Sequence, residues 1–212
     1  TRDQVVINDI EVDWFNPNNV YITNTVGEVL KSTDAGDTWK TIYRGGGAAT
    51  DLEINNADSR ILMLGTAKRG IKRSIDSGEN WVDILTDGYK KFEGIENVKE
   101  IQQTADGAHY WIATDNGLAR SEDRGETWMP VSLLTPASST NVVAVAVDPR
   151  NAEHIVYVAG QTIYVSVNGG SKWDTEKMPT GAWATQLSID PTDSSTIYMG
   201  LRAVVEQSNS LF

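Results

Sequence analysis

The chain has 212 residues, no cysteine, and a formal net charge of −11 at pH 7. The lack of cysteine excludes disulfides and thiolate metal sites, and the acidic balance argues against nucleic acid as a partner. No apolar run reaches the 18 residues of a spanning helix, so membrane insertion is not expected.

Taken in order, the chain repeats a pattern of four short strands. A first strand ends in a turn signal such as Asn16-Pro17, and an apolar strand such as Ile155-Val-Tyr-Val158 follows. A glycine then opens an alternating strand, as in Gly27-Glu-Val-Leu-Lys-Ser32, and an eight-residue block leads to an outer strand such as Thr41-Ile-Tyr-Arg44. No helical window competes with this pattern, so we predict an all-β chain.

The eight-residue block has the pattern Ser-x-Asp/Asn-x-Gly-x-x-Trp and occurs four times. Its fixed positions are Ser32, Asp34, Gly36 and Trp39, then Ser74, Asp76, Gly78 and Trp81, then Ser121, Asp123, Gly125 and Trp128, and finally Ser166, Asn168, Gly170 and Trp173. Ser and Asp side chains hydrogen bond to the backbone of their own turn, Gly supplies a positive φ, and Trp buries a large apolar area. Turn chemistry explains every fixed position, so we interpret the block as structural.

The blocks begin at Ser32, Ser74, Ser121 and Ser166, so the steps between them are 42, 47 and 45 residues. A period in the forties with several strands per unit is typical of β-propeller blades. The block resembles the Asp-box, or BNR repeat, of sialidases, sortilin-type receptors, xyloglucanases and photosystem II assembly-factor propellers. Through its repeats, the resemblance covers nearly the whole chain. The resemblance implies a structural box at the rim of each blade, between its third and fourth strands. It does not specify an activity, because those families have unrelated functions.

The repeats predict a five-bladed β-propeller of four-stranded antiparallel blades, formed as one domain over residues 1–212. The approximate blades are residues 7–44, 49–86, 95–133, 142–178 and 184–212. Ser208 lies 42 residues after Ser166, and residues 1–6 look like an outer strand without its own blade. We therefore expect the N-terminal strand to close the last blade, which removes a frayed sheet edge. The alternative is a five-blade piece of a larger propeller.

The inner strands, which line the central channel of a propeller, are acidic. Their carboxylates are Asp9, Glu11 and Asp13 in the first unit, Asp51 and Glu53 in the second, and Glu96 and Glu100 in the third. Crowded carboxylates have raised pKa values, as acid/base pairs require, and they would also suit a hydrated cation such as Ca²⁺. The simpler interpretation is solvated carboxylates at the channel mouth, and we predict no metal and no cofactor.

Five-bladed glycosidases place three carboxylates on different inner strands, and Asp9, Asp51 and Glu100 fit that arrangement as alternative catalytic residues. Those enzymes are longer, however, and do not resemble this repeat. The sialidase resemblance also stops at the block, because no Arg-Ile-Pro occurs near the N-terminus. A xyloglucanase has two large propellers, and a chain of this length holds only a fragment of one.

Two tryptophans outside the blocks, Trp14 and Trp183, lie near inner-strand ends, where they could stack on a sugar ring or a peptide side chain. Glu11 and Glu53 complete this candidate binding set, and packing between blades is the other explanation for the tryptophans. Trp111 is expected in the core. His109 and His154 are interpreted as loop histidines, because their spacing does not suit zinc.

Because the fold explains every repeated residue, the first hypothesis is a non-catalytic binding or scaffold module. Its protein or carbohydrate partner would dock on one propeller face, where the loops at residues 87–94 and 133–140 project. The alternative is a glycoside hydrolase that uses the channel carboxylates, and a third possibility is a structural spacer in a larger assembly. We expect an extracellular, periplasmic or cell-surface location, and the sequence does not predict an oligomeric state.

Overall fold

The computed structural model describes residues 4–84, 96–135 and 140–203, which form five antiparallel sheets and no helix. The strands are β1 (Ile7–Val12), β2 (Val20–Asn24), β3 (Glu28–Ser32), β4 (Lys40–Arg44), β5 (Ala49–Ile54), β6 (Leu62–Thr66), β7 (Gly70–Ser74), β8 (Val82–Asp83), β9 (Val98–Gln103), β10 (Tyr110–Thr114), β11 (Gly117–Ser121), β12 (Met129–Pro130), β13 (Val142–Asp148), β14 (Asn151–Ala159), β15 (Thr162–Ser166), β16 (Asp174–Lys177), β17 (Trp183–Ile189) and β18 (Ile197–Arg202).

The sheets follow the chain in the simplest order. Four sheets contain four strands each, β1–β4, β5–β8, β9–β12 and β13–β16, and in the fifth the described strands are β17 and β18. Consecutive strands pair antiparallel in every sheet. The prediction of an all-β propeller with four-stranded antiparallel blades is therefore confirmed.

The sheets stack face to face in chain order. The inner strands β1, β5, β9, β13 and β17 each contact the next one along the chain. Four apolar clusters fill the four spaces between neighbouring sheets, and each cluster draws residues from both of the sheets that enclose it. Trp111, which is 2% exposed, belongs to the cluster between the third and fourth sheets, as its apolar strand predicted.

The inner strands run in the same direction. Asn8 Nδ2 donates to Ala49 O and Leu52 N donates to Asp9 Oδ2, so the positions rise together along β1 and β5. The same order holds between β5 and β9. One face of the stack therefore carries the loops that follow the inner strands together with the eight-residue blocks, and we call it the block face. The opposite face carries the beginnings of the inner strands, and we call it the entry face.

Residues 4–6, which precede β1, lie beside the first sheet and do not reach the fifth sheet. Val6 O accepts from Thr25 N at 2.9 Å, and residues 4–6 form no strand. The predicted closure by the N-terminal strand also depends on residues 1–3 and 204–212, which lie outside the described residues, so it stays a prediction. The loop at residues 87–94 and most of the loop at residues 133–140 also lie outside them.

Two smaller predictions are corrected. His154 lies inside β14 rather than in a loop, because β14 begins at Asn151. Glu96 does not lie on an inner strand, because β9 begins at Val98, and its side chain is exposed. The described residues include no helix that is long and apolar enough to cross a membrane.

Candidate functional site

The second block shows how these eight residues hold their own turn. Ser74 Oγ donates to Asp76 Oδ1 at 2.7 Å and accepts from Gly78 N at 2.9 Å. Asp76 Oδ1 also accepts from Asn80 N at 2.8 Å, and Trp81 Nε1 donates to Gly78 O at 3.1 Å. Hydrogen bonds with the Asn80 backbone and side chain lower the Asp76 pKa to about 2. The polar atoms of the block are therefore used within it, which leaves it little capacity for a ligand.

The other blocks repeat this geometry with small changes. Asn168 takes the Asp position in the fourth block and accepts from Lys172 N at 2.8 Å. The indole of Trp173 donates to Ser132 O in the preceding sheet instead of to its own block. The residue before each block glycine also has a positive φ, in the left-handed region of the backbone; these residues are Ala35, Ser77, Arg124 and Gly169. The sequence pattern did not reveal this second left-handed position, because three different residue types with a Cβ occupy it.

Five carboxyl groups from three inner strands gather at the channel. They are Asp9, Glu11, Asp51, Glu53 and Glu100, and all five are half-buried. The structure thus brings the three alternative catalytic residues, Asp9, Asp51 and Glu100, next to the candidate binding residues Glu11 and Glu53. Asp13 lies apart from them, because its buried carboxylate turns into its own loop and accepts from Phe15 N and Asn19 Nδ2. Within the described ranges, no three His, Cys, Asp or Glu side chains are placed to hold a metal ion.

All five clustered carboxyl groups have raised pKa values. Burial raises the pKa of Glu11 to about 7, with a smaller contribution from the charge of Asp9, and burial raises the pKa of Glu100 to about 8. Burial and neighbouring carboxylates raise the pKa values of Asp51 and Glu53 well above their usual range. The pKa of Asp9 is raised by burial, against the opposing effect of its hydrogen bonds. Burial and mutual repulsion therefore favour the protonated forms of these carboxyl groups.

Three of these carboxyl groups also join neighbouring sheets. Asp9 Oδ2 accepts from Leu52 N at 3.0 Å, Asp51 Oδ2 accepts from Ile101 N at 2.5 Å, and Glu100 Oε2 accepts from Val145 N at 2.9 Å. Each acceptor follows a β-bulge in its inner strand, and each donor is an amide of the next inner strand. We call these three bonds the carboxylate clips.

The other two carboxyl groups are held differently. Glu53 Oε2 accepts from Gln103 Nε2 at 2.6 Å, which links the second and third sheets through a side chain. Glu11 lies on β1 two residues before the turn at Asp13, and its carboxyl group has no hydrogen-bond partner among the residues that the structure describes. Glu11 is thus the member of the cluster whose oxygens remain open to a ligand.

The two candidate tryptophans lie on opposite faces. Trp14, which is 85% exposed, follows the end of β1 on the block face, whereas Trp183, which is 45% exposed, begins β17 on the entry face. They cannot form one platform. Phe15, which is 63% exposed, extends the aromatic surface next to Trp14.

A groove beside Trp39 was missed from the sequence, where this residue was assigned only a structural role. The groove has a volume of about 580 Å³ and lies between β4 and the second block, with Trp39, Ile42, Lys31 and Glu79 among its lining residues. Trp39 is 39% exposed, whereas the later block tryptophans Trp128 and Trp173 are 2% and 6% exposed.

The exposure of Trp39 has a simple cause. Each later block tryptophan reaches the preceding sheet, as when Trp81 packs edge-on against Tyr43 with ring centroids 5.5 Å apart. Trp39 belongs to the first sheet, which has no preceding sheet among the described residues. Only a comparison of the four copies in three dimensions could have distinguished it from the others.

Comparisons with known proteins relate the chain to carbohydrate-active enzymes. No family model matches the chain. The xyloglucanase Xgh74A of Acetivibrio thermocellus is 31% identical over 188 residues, which cover 79% of this chain and 19% of that protein. A xyloglucanase of Paenibacillus sp is 27% identical over 239 residues, which cover 92% of this chain and 22% of that protein. The chain thus spans about a fifth of the length of these relatives.

Solved structures share the fold. An ancestral GH74 enzyme has a TM-score of 0.74 at 20% identity, with 92% of this chain and 27% of that chain covered. YCF48 bound to the D1 peptide has a TM-score of 0.63 at 13% identity, covering 94% and 69%. The nidogen/laminin complex has a TM-score of 0.67 at 12% identity, covering 92% and 71%. The chain is therefore a β-propeller, similar in sequence to parts of two xyloglucanases and similar in fold to these structures.

Proposed function

We propose that this chain is a propeller of an extracellular glycoside hydrolase that acts on xyloglucan or a related β-glucan, and that its block face binds the polysaccharide. The observation that carries the proposal is the 31% identity to the xyloglucanase Xgh74A over 79% of the chain. The proposal favours the hydrolase hypothesis over the non-catalytic module that the sequence alone suggested.

The first sheet supplies the surfaces that a polysaccharide needs. Trp14 and Phe15 are exposed near the inner end of this sheet on the block face, and the groove beside Trp39 lies towards its outer end. A backbone bond from Ala35 N to Asn18 O fixes the inner loop against the block. Indole faces stack on sugar rings, and the hydroxyl groups of Thr33 and Thr41 in the groove can hydrogen bond to sugar hydroxyls. We expect the glycan to lie along this sheet, from Trp14 to Trp39.

Glu11 is the best candidate for an acid in this propeller. Glycoside hydrolysis needs one carboxyl group that is protonated at working pH and a second that is ionised. Glu11 has a pKa raised to about 7 and lies on β1, close in sequence to Trp14. Asp9, Asp51 and Glu100 remain alternative catalytic residues, but each already gives an oxygen to a carboxylate clip.

The binding test compares tryptophans on the two faces. We expect Trp14→Ala and Trp39→Ala each to weaken xyloglucan binding by up to about tenfold in affinity gel electrophoresis, because a stacked aromatic ring contributes about 0.5–1.5 kcal/mol. Trp183→Ala is the matched control, since this exposed tryptophan lies on the entry face. Equal weakening by all three variants, or none by the first two, would contradict the proposed surface.

A second test addresses catalysis. The rate of reducing-sugar release from xyloglucan is measured for the unchanged chain, Glu11→Gln and the double variant Asp51→Asn/Glu100→Gln. We expect Glu11→Gln to reduce the rate at least about a hundredfold, the range for removing a general acid, and the double variant to retain most of it. Loss of activity in the double variant alone would instead assign the chemistry to the clip carboxylates.

A second function, non-catalytic binding, is favoured by the carboxylate clips themselves. The clips give Asp9, Asp51 and Glu100 a structural role that needs no substrate. A chain that binds xyloglucan or a peptide through the block face and releases no sugar would support this function. A peptide partner is suggested only by the fold shared with YCF48 bound to the D1 peptide.

A further inference from the structure

Two lysines lie side by side in the groove beside Trp39. Lys31 on β3 and Lys40 on β4 are cross-strand partners, and both line the groove. Cross-strand partners share a face of their sheet, and Lys31 Nζ donates to Ser77 O in the second block at 3.3 Å. The two lysines therefore lie on the side of the first sheet that faces the second sheet. Residues of the described chain form both walls of the groove at this point.

The equivalent position is occupied differently in the next two sheets. Arg73 and Arg120 also donate to backbone carbonyls of the following block, at 3.1 Å in each case. Each arginine forms an ion pair with a glutamate, at 3.3 Å and 3.0 Å. Their cross-strand partners are the apolar residues Val82 and Met129. In each of these sheets, the chain itself therefore neutralises a single cation.

The lysine pair of the first sheet is not neutralised in this way. Among the residues that the structure describes, neither Lys31 nor Lys40 forms an ion pair with a carboxylate. Like charges on directly opposite residues destabilise a sheet. Glu79 is the acidic residue that lines the groove, and it is exposed. The groove thus contains two positive charges and one negative charge, which leaves an excess of positive charge for a ligand.

We propose that this lysine pair binds the carboxylate of an acidic sugar, such as a uronic acid residue of the polysaccharide. The inference rests on the proposed function and names the substrate class more closely, as a β-glucan with acidic substituents. A carboxylate between the two ammonium groups relieves their repulsion and accepts charge-assisted hydrogen bonds. One negative charge suits the groove better than the two of a phosphate, because Glu79 repels a second charge.

Isothermal titration calorimetry with two forms of one polymer tests the inference. The first is xyloglucan, and the second is xyloglucan whose C6 hydroxyl groups have been oxidised to carboxylates. At about 0.15 M salt, charges more than about 8 Å away are largely screened, so distant acidic residues of the chain contribute little. We expect the oxidised polymer to bind about threefold or more tightly than the neutral polymer, as two surface charge contacts allow.

Charge variants in the groove assign this preference. Lys40 is exposed, so its replacement should not disturb folding. Lys40→Gln should at least halve the preference, on the order of one exposed charge pair, and Lys40→Glu should reverse it. Glu79→Gln should strengthen binding of the oxidised polymer, because it removes the negative charge of the groove. Lys172→Gln is the matched control, since it removes an exposed lysine from the fourth block and should leave the preference unchanged.

The two polymers also separate this inference from the proposed function. Equal binding of both polymers by the unchanged chain would overturn the inference and leave the proposed function intact. A preference for the oxidised polymer that survives Lys40→Glu would do the same. Binding of neither polymer would overturn the proposed function, and the inference with it.

Discussion

The carboxyl group of Glu100 makes the stability of this propeller depend on pH. Burial raises the pKa of this group from 4.5 to about 8. A carboxyl group whose folded pKa exceeds its unfolded pKa stabilises the fold fully below the unfolded pKa, and this contribution is lost as pH rises through the folded pKa. Glu100 should therefore destabilise the fold progressively between about pH 4.5 and pH 8.

Replacement of Glu100 by Gln should remove this dependence and keep the clip. The amide oxygen of Gln can still accept the hydrogen bond from Val145 N, which lies 2.9 Å from Glu100 Oε2. The rise in pKa from 4.5 to about 8 sets a ceiling of about 5 kcal/mol, at about 1.4 kcal/mol for each pH unit. Glu100 is half-buried rather than fully enclosed, so solvent screening reduces this ceiling, and we expect Glu100→Gln to gain about 1–2 kcal/mol at pH 8.5.

Urea unfolding followed by tryptophan fluorescence at pH 5 and pH 8.5 measures the effect. The variant and the unchanged chain should have similar free energies of unfolding at pH 5, and the variant should be the more stable at pH 8.5. Glu176→Gln removes the same charge from an exposed position on β16 and should have little effect at either pH. A constant difference between Glu100→Gln and the unchanged chain across this range would refute the reasoning, as would a less stable variant at pH 8.5.

Two further predictions concern the second block. Ser74→Ala should lower the free energy of unfolding by about 1–3 kcal/mol in chemical denaturation, because it leaves the buried Gly78 N–H without its acceptor. Ser171→Ala is the control and should leave the free energy of unfolding unchanged, because Ser171 is exposed. Gly78→Ala should lower the free energy of unfolding by about 1–3 kcal/mol in the same assay, since the Gly78 φ is +88° and a Cβ would lie 2.4 Å from Ile42 Cδ1. Gly181→Ala should lower it far less, because a Cβ at Gly181 would meet nothing within 4 Å. Equal losses of stability in the two variants would contradict the argument.

The strands and blocks could be predicted because their causes are local. Alternation, turn residues and the Gly and Trp of each block lie within a few residues of one another, so the sequence displays them directly. The function was predicted less well. The block that recurs in each unit is shared by families with unrelated functions, so it does not single out one activity, whereas the similarity to the xyloglucanase Xgh74A extends over 79% of the chain.

The details of the acidic cluster needed three dimensions. Alternation along β1 placed Asp9, Glu11 and Asp13 together, but β1 ends at Val12 and Asp13 turns into its own loop. The clips depend on a bulge in each inner strand and on an amide of the next sheet about 45 residues away, and neither can be seen in a strand pattern. The difference between Trp39 and the other block tryptophans likewise depends on which sheet lies beside it.

The junctions between the sheets differ in kind along the stack. The first three are bridged by the carboxylate clips, whereas Ala144 takes the corresponding position in the fourth sheet, so the inner strands of the fourth and fifth sheets meet at an apolar cluster without a clip. Acidification should therefore stabilise the end of the molecule that contains the clips more than the end that lacks them. Mechanical compliance would then vary along the propeller with the acidity of its surroundings.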